Sequence, residues 1–187
     1  MSSARTVAIL AGGRSRRMGT AKAGVLLDGR PLLDHVADAA RAAGLTPVVV
    51  AKRASVLPSG DAPRWDEPDE PRHPLTGVAA ALRRADAPIV VVPVDLPHVA
   101  PGLLAALAAH PARLAVVEAA GRLHPLLGRF DPADADALED AARAGAPVVR
   151  TVLDLGAVRV GDDDVARHGD PARMLWNVNR PEDLREA

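Results

Sequence analysis

Two glycines followed by a run of cations, within VAILAGGRSRRMGTAK (residues 7–22), carry the residue types in this chain best suited to chemistry. A short apolar run, Val7-Ala8-Ile9-Leu10, breaks into Gly12-Gly13, and Arg14, Arg16, Arg17 and Lys22 follow. A glycine pair lets backbone N–H groups approach an anion closely, and the cations supply the charge to hold it. The chemistry this predicts is polyphosphate binding. Taken alone, the loop also reads as an arginine-rich surface turn. It is not a Walker A loop, because Lys22 lies three residues after Gly19 with no Ser or Thr behind it. The G-x-G-x-x-G dinucleotide spacing is missing too. Lysine is scarce, with two against twenty-one arginines. A lysine in the loop therefore says more than any one arginine.

Asp95 is the second candidate. It follows a continuous apolar strand, so its carboxylate should stand at the carboxyl edge of a sheet, where ligands of open α/β proteins bind. A carboxylate there can hold Mg²⁺ against phosphates. It can equally cap the turn at Leu96-Pro97.

The elements that must position these residues alternate short apolar runs with helical patterns. That alternation predicts an α/β chain with a mainly parallel central sheet and helices on both faces. Strands are expected at about 6–11, 47–51, 88–93, 113–118, 122–127 and near Val158, with a short one around Trp65. Helices are expected at about 31–43, from Leu75 through Leu82, at 101–109, from Asp131-Pro132 to Gly145, at 148–153 and after Pro181. Residues 161–171 read as a polar loop. No repeat or linker divides the 187 residues, so a single domain over 1–187 is expected.

Composition removes several function classes. The net charge of −1 provides no basic field for nucleic acid, and three aromatic residues (Trp65, Phe130, Trp176) make no base-stacking platform. Without cysteine there is no disulfide framework, thiol catalysis or Cys-based zinc site. No secretory signal or membrane-spanning run is visible, so a cytoplasmic location without membrane contact is expected.

The motifs LAGGRSRRMG-x-x-K-A, GRPLLDHV, PLTG, VPVDLPHV, LHPLLG and NVNRPEDL occur in that order. Together they resemble the molybdenum cofactor guanylyltransferase family, within the nucleotidyltransferase superfamily, over nearly the whole chain. The resemblance implies a three-layer, Rossmann-like fold of the nucleotide-diphospho-sugar-transferase type. It implies transfer of GMP from Mg·GTP to the terminal phosphate of molybdopterin, with pyrophosphate released and Mg²⁺ as cofactor. By the same resemblance Leu10, Ala11 and Gly12 line the nucleotide and Gly13 turns the loop. Lys22, helped by Arg17, contacts the phosphates, Asp66 contacts the nucleotide and Asp95 binds magnesium. The segment ending at Gly77 approaches the base.

His124, Asn177 and Asn179 fall either around the pterin phosphate or in the magnesium shell. Asn177 and Asn179 share one side of an extended segment, and Asn179 can instead cap the last helix. The remaining histidines lack metal-ligand spacing. Ala21 before Lys22, His73 before Pro74, and Ala51 or Lys52 in place of an expected Asn depart from the family pattern. The partners implied are GTP, molybdopterin and, transiently, molybdoenzymes or insertion proteins, served by a monomer. Alternatives are a related nucleotidyltransferase using CTP or a sugar-phosphate acceptor, and a non-catalytic nucleotide-binding protein of the same fold.

Overall fold

The computed structural model describes residues 3–12, 22–179 and 183–184. Its elements begin with β1 (Thr6–Leu10), β2 (Leu26–Leu27), β3 (Arg30–Pro31), α1 (Leu32–Ala42), β4 (Thr46–Lys52) and β5 (Arg64–Glu67). They continue with α2 (Pro74–Ala85), β6 (Ile89–Pro93), α3 (Pro101–Ala109), β7 (Ala115–Ala119) and β8 (Arg122–Phe130). The described chain then adds α4 (Ala135–Arg143), α5 (Val148–Asp154), β9 (Val158–Val160), α6 (Asp162–Ala166) and α7 (Pro171–Met174).

Seven strands form one sheet in the order β5-β4-β1-β6-β8-β7-β9. β5, β4, β1 and β6 run parallel; β8 alone is reversed between β6 and β7, and β9 is again parallel to β7. The sheet is therefore mainly parallel, as the uninterrupted valine runs predict for strands covered on both faces. Alternation along each strand divides the core in two. Val7 and Ile9 pack with the leucines of α1 and α3, while Ala8 between them faces α2 and α4 on the other side.

The expected elements form with ends shifted by a residue or a few, apart from the segment after Pro181, of which only Asp183 and Leu184 are described. The polar loop expected at 161–171 is corrected: it contains α6. Three consecutive aspartates, Asp162, Asp163 and Asp164, occupy the first turn of α6, and Val165 is buried beneath it. Negative side chains at a helix start complement the exposed backbone N–H groups. α7 is likewise opened by Asp170, whose side chain accepts from Ala172 N at 3.0 Å. The β2–β3 hairpin turns at Asp28-Gly29, both with positive φ (51° and 75°), as a two-residue hairpin turn requires.

Arg129 is fully buried on β8. Its guanidinium donates to the carbonyls of Ala108 (2.9 Å) and Ala112 (3.1 Å), satisfying acceptors at and beyond the C-terminus of α3. Arg129→Met keeps the bulk and removes these donors. A stability loss of about 2–4 kcal/mol in urea titration is expected.

Candidate active site

The site follows from the strand order. The chain leaves β1 toward β4 on one side, then returns to place β6 on the other, so a crevice opens at the carboxyl ends of β1 and β6. Two backbone bonds hold the strand ends that border it. Ala11 N donates to Val50 O at 2.9 Å, and Val94 N donates to Leu10 O at 3.2 Å. Leu10, Ala11 and Gly12 therefore lie on the crevice rim. Gly13 and Arg17, with the rest of 13–21, lie outside the described residues.

Lys22 re-enters in a single helical turn (Lys22–Gly24) and crosses the crevice. Its Nζ donates to Asp95 Oδ2 at 2.6 Å and to Asn179 Oδ1 at 2.6 Å. Two residues 73 and 157 positions away in sequence thus meet at one ammonium. Asn179 is delivered there by its neighbours. Val178 N donates to the Asp95 carbonyl at 3.0 Å, and Asn179 N donates to Asp183 Oδ2 at 2.7 Å. The Asn179 side-chain oxygen faces Lys22 in the crevice, and the helix start it could cap, at 180–182, lies outside the described residues. Asn177 contributes its carbonyl, 3.5 Å from Asn179 Nδ2.

Lys22 and Asp95 are mostly buried, with side chains 17% and 18% exposed. Asp95 Oδ1 is buried with no hydrogen-bond partner. A buried carboxylate oxygen left unpaired is costly unless a ligand completes it. Asp95 Oδ1 and the Asn179 amide oxygen are hard donors that suit a divalent cation such as Mg²⁺. No cluster of three or more His, Cys, Asp or Glu able to hold a metal exists among the described residues. A cation here would take its remaining ligands from phosphates and water, the usual habit of Mg²⁺.

His124, on β8, is buried within electrostatic reach of Asp95. Burial pushes its pKa below the ordinary value of 6.5 and the Arg122 cation lowers it further, with a backbone hydrogen bond to Ala119 and then Asp95 pulling the other way. Arg122 Nε lies 3.4 Å from the ring Nε2. His98, half-buried in the segment after Asp95, is lowered in the same sense by desolvation and by Arg173. The unfolded chain takes up these protons first, so stability rises with pH through the histidine range and falls as acid is added. Unfolding free energy should decline as pH drops from about 7 to about 5. His124→Asn should flatten part of that slope; an unchanged slope would remove His124 from the explanation.

At the other end of the crevice β5 carries two adjacent acids, Asp66 and Glu67. The Asp66 carboxylate is exposed, accepting from Arg64 Nε at 2.8 Å with Arg53 Nε 3.9 Å away. Alternation along β5 sends the next residue, Glu67, to the α2 face. The Glu67 side chain is 8% exposed, and its carboxylate reaches between Gly12 and Gly77. Lys52, 3.7 Å from Glu67 Oε1, also donates to Pro68 O at 2.7 Å. His73, the departure before PLTG, caps α2 by accepting from Leu75 N at 3.3 Å. Sequence reasoning missed Glu67, Lys52 and Asp183. Only Lys52 carried a signal, since the scarcity that singled out Lys22 applies equally to the second lysine.

Comparison with known proteins gives the family and the fold. The model of the MobA-like NTP transferase domain family matches residues 7–160. A molybdenum cofactor guanylyltransferase from Cereibacter sphaeroides is 39% identical over 195 residues, covering 96% of this chain and 93% of its own length. The crystal structure of molybdopterin-guanine dinucleotide biosynthesis protein A from Archaeoglobus fulgidus is similar at TM-score 0.80 and 25% identity, over 97% of this chain and 95% of that one. A Mycobacterium tuberculosis protein crystallised with manganese shares the fold at TM-score 0.66 and 20% identity, over 100% and 98%. Since the family match runs from the second residue of β1 to the last of β9, the chain belongs to the MobA-like NTP transferase family, among the molybdenum cofactor guanylyltransferases.

Proposed function

We propose that this chain transfers GMP from Mg·GTP to the terminal phosphate of molybdopterin. An oxygen of that phosphate forms a bond to the α-phosphorus of GTP. The α–β bridging P–O bond breaks, and its electron pair leaves on pyrophosphate. The observation that carries the reading is the Lys22 ammonium seated on both Asp95 and Asn179 at the switch point.

Such a reaction asks the protein for position and charge compensation, with no covalent participation. Leu10, Ala11 and Gly12 would support the nucleoside on the rim of β1, with Gly13 turning the loop over the phosphates. Gly77, on the α2 wall, would leave room for the base, and Asp66 would reach the nucleotide from the outer side of β5. Lys22, on a flexible stem, would turn from Asp95 to the α- and β-phosphate oxygens, joined by Arg17. Asp95, with Asn179, would hold the divalent cation. Bound there, Mg²⁺ would neutralise phosphate charge and orient the α-phosphorus. His124, on β8, and Asn177 would face the acceptor phosphate.

The same reading makes residues 1–187 one domain acting as a cytoplasmic monomer that hands its product to molybdoenzymes or insertion proteins by transient contact. Among the described residues no helix is long and apolar enough to cross a membrane. The function is tested by supplying molybdopterin, Mg²⁺ and each nucleoside triphosphate in turn and following pyrophosphate release. Turnover with GTP is expected. Turnover with CTP in its place would favour a cytidylyl enzyme, and none with any nucleotide would favour a binding protein.

A further inference from the structure

The sheet ends on β9, and among the described residues no strand pairs with its outer edge. Val158 N donates to Leu114 O at 3.0 Å, so Val158 and Val160 turn their backbone groups toward β7. Backbone direction alternates along a parallel ladder, and the N–H and C=O of Arg159 therefore point away from the sheet. They meet no backbone partner among the described residues. Edge groups left open in this way are a template for another strand.

A groove of about 340 Å³ runs beside that edge. Val158, Arg159 and Val160 all line it, which sets it along the strand as well as beneath one of its faces. α3 supplies the floor through Leu103, Ala106 and Leu107. His168 closes one end, where a Cβ at Gly102, in the first turn of α3, would lie 2.7 Å from its Nδ1. His110, just past the last turn of α3, closes the other. The helix rises about 12 Å between residues 102 and 110, a length that about four residues of extended chain would fill. Alternate side chains of such a segment would rest on the α3 floor, so those positions call for apolar residues.

Charge narrows the occupant further. Five ionisable side chains line the groove, and Asp164 alone among them is acidic. Arg167 holds Asp164 at 2.8 Å, and Arg159 holds Glu118 at 3.2 Å. Both pairs are exposed, so each is worth little and gives way to an incoming carboxylate at small cost. Ala112 N donates to His110 Nδ1 at 3.2 Å, which leaves the ring proton on Nε2 as a donor. A short edge strand bearing an arginine also guards against chance pairing. Protection alone would not need a slot of strand length floored by leucines.

We propose that β9 takes up an extended segment of a partner protein as an eighth strand, with alternate apolar residues on α3 and acidic residues at the rim. Main-chain bonds to Arg159 supply the hold, the α3 floor selects the inward side chains, and the rim cations select acids. The slot lies three strands beyond β6, apart from the crevice at β1 and β6. It goes beyond the guanylyl-transfer reading and stands whichever nucleotide the crevice takes.

The test is fluorescence anisotropy of the full chain with labelled hexapeptides patterned acid-apolar-polar-apolar-acid-acid, with Val, Ile or Leu at the apolar positions. The same set with Lys in place of Asp is the control. Members of the acidic set are expected to bind at least about 10-fold tighter than their Lys counterparts, an advantage that shrinks as salt is raised. Ala106→Glu, on an exposed position of α3 outside the crevice, should weaken them about 10-fold or more and leave nucleotidyl transfer unchanged. Methylating the peptide nitrogens one at a time should cost about 10-fold where the N–H faces Arg159, and little at its neighbours, which face away. Hydrogen exchange at the Arg159 amide should slow in the complex. No binding across the acidic set, equal binding by A106E, or tolerance of methylation at every position would overturn the proposal. A dimer in sedimentation that A106E dissolves would overturn it too, by giving the slot to a second copy of this chain.

Discussion

Lys22→Ala is expected to lower guanylyl transfer by about 100- to 1,000-fold, the usual cost of removing one charged group aimed at a transition state. In the proposed reaction the lysine would offset charge that builds up as the α–β bond breaks. It also ties the chain that follows the β1 loop to Asp95 and to Asn179 near the C-terminus. Loss of those contacts should cost only about 1–2 kcal/mol of stability, because the pair retains some water contact. The measurement is kcat at saturating Mg·GTP alongside a thermal melt. A large drop in kcat with a small change in melting separates a phosphate role from a structural one. Near-normal turnover would end it.

Asp95→Asn should produce the second large effect, by a different route. The amide keeps the shape of the side chain and its backbone bond from Val178 N, but it removes the negative charge. It also replaces one of the two carboxylate oxygens with a donor. The half-saturating Mg²⁺ concentration should rise about 10-fold or more, with kcat falling by at least as much. A metal titration of activity that superimposes on wild type would reject Asp95 as the ligand. Combining D95N with K22A should cost less than the sum of the two, since each removes a partner of the same cluster.

The core and much of the phosphate end are legible in the sequence because each rests on a local pattern. Valine runs bounded by prolines, helical spacing of leucines, and glycines at helix ends specify the elements. An Asp just past an apolar strand has one place to be once the sheet is parallel. The nucleoside end is not legible in the same way. Asp66 and Glu67 are adjacent acids on a four-residue strand, and only its pairing with β4 decides which one faces α2. A shift of one residue exchanges the two faces. The glycines that admit Glu67 lie just past β1 and in α2, so their common purpose exists only after folding. α6 escaped notice because three aspartates in a row resemble a loop, although a helix start favours them. Asp183 supports Asn179 through a backbone N–H, an interaction to which the side chains of the motif give no clue.

The most direct test of guanylyl transfer at the Lys22–Asp95–Asn179 cluster uses wild type and K22A side by side with molybdopterin and Mg·GTP. The quantity to follow is molybdopterin guanine dinucleotide against pyrophosphate. Wild type should yield the two in equal amounts, and K22A should form both at less than about a hundredth of that rate. Pyrophosphate without dinucleotide, or equal rates from the two proteins, would contradict the assignment of this reaction to this site.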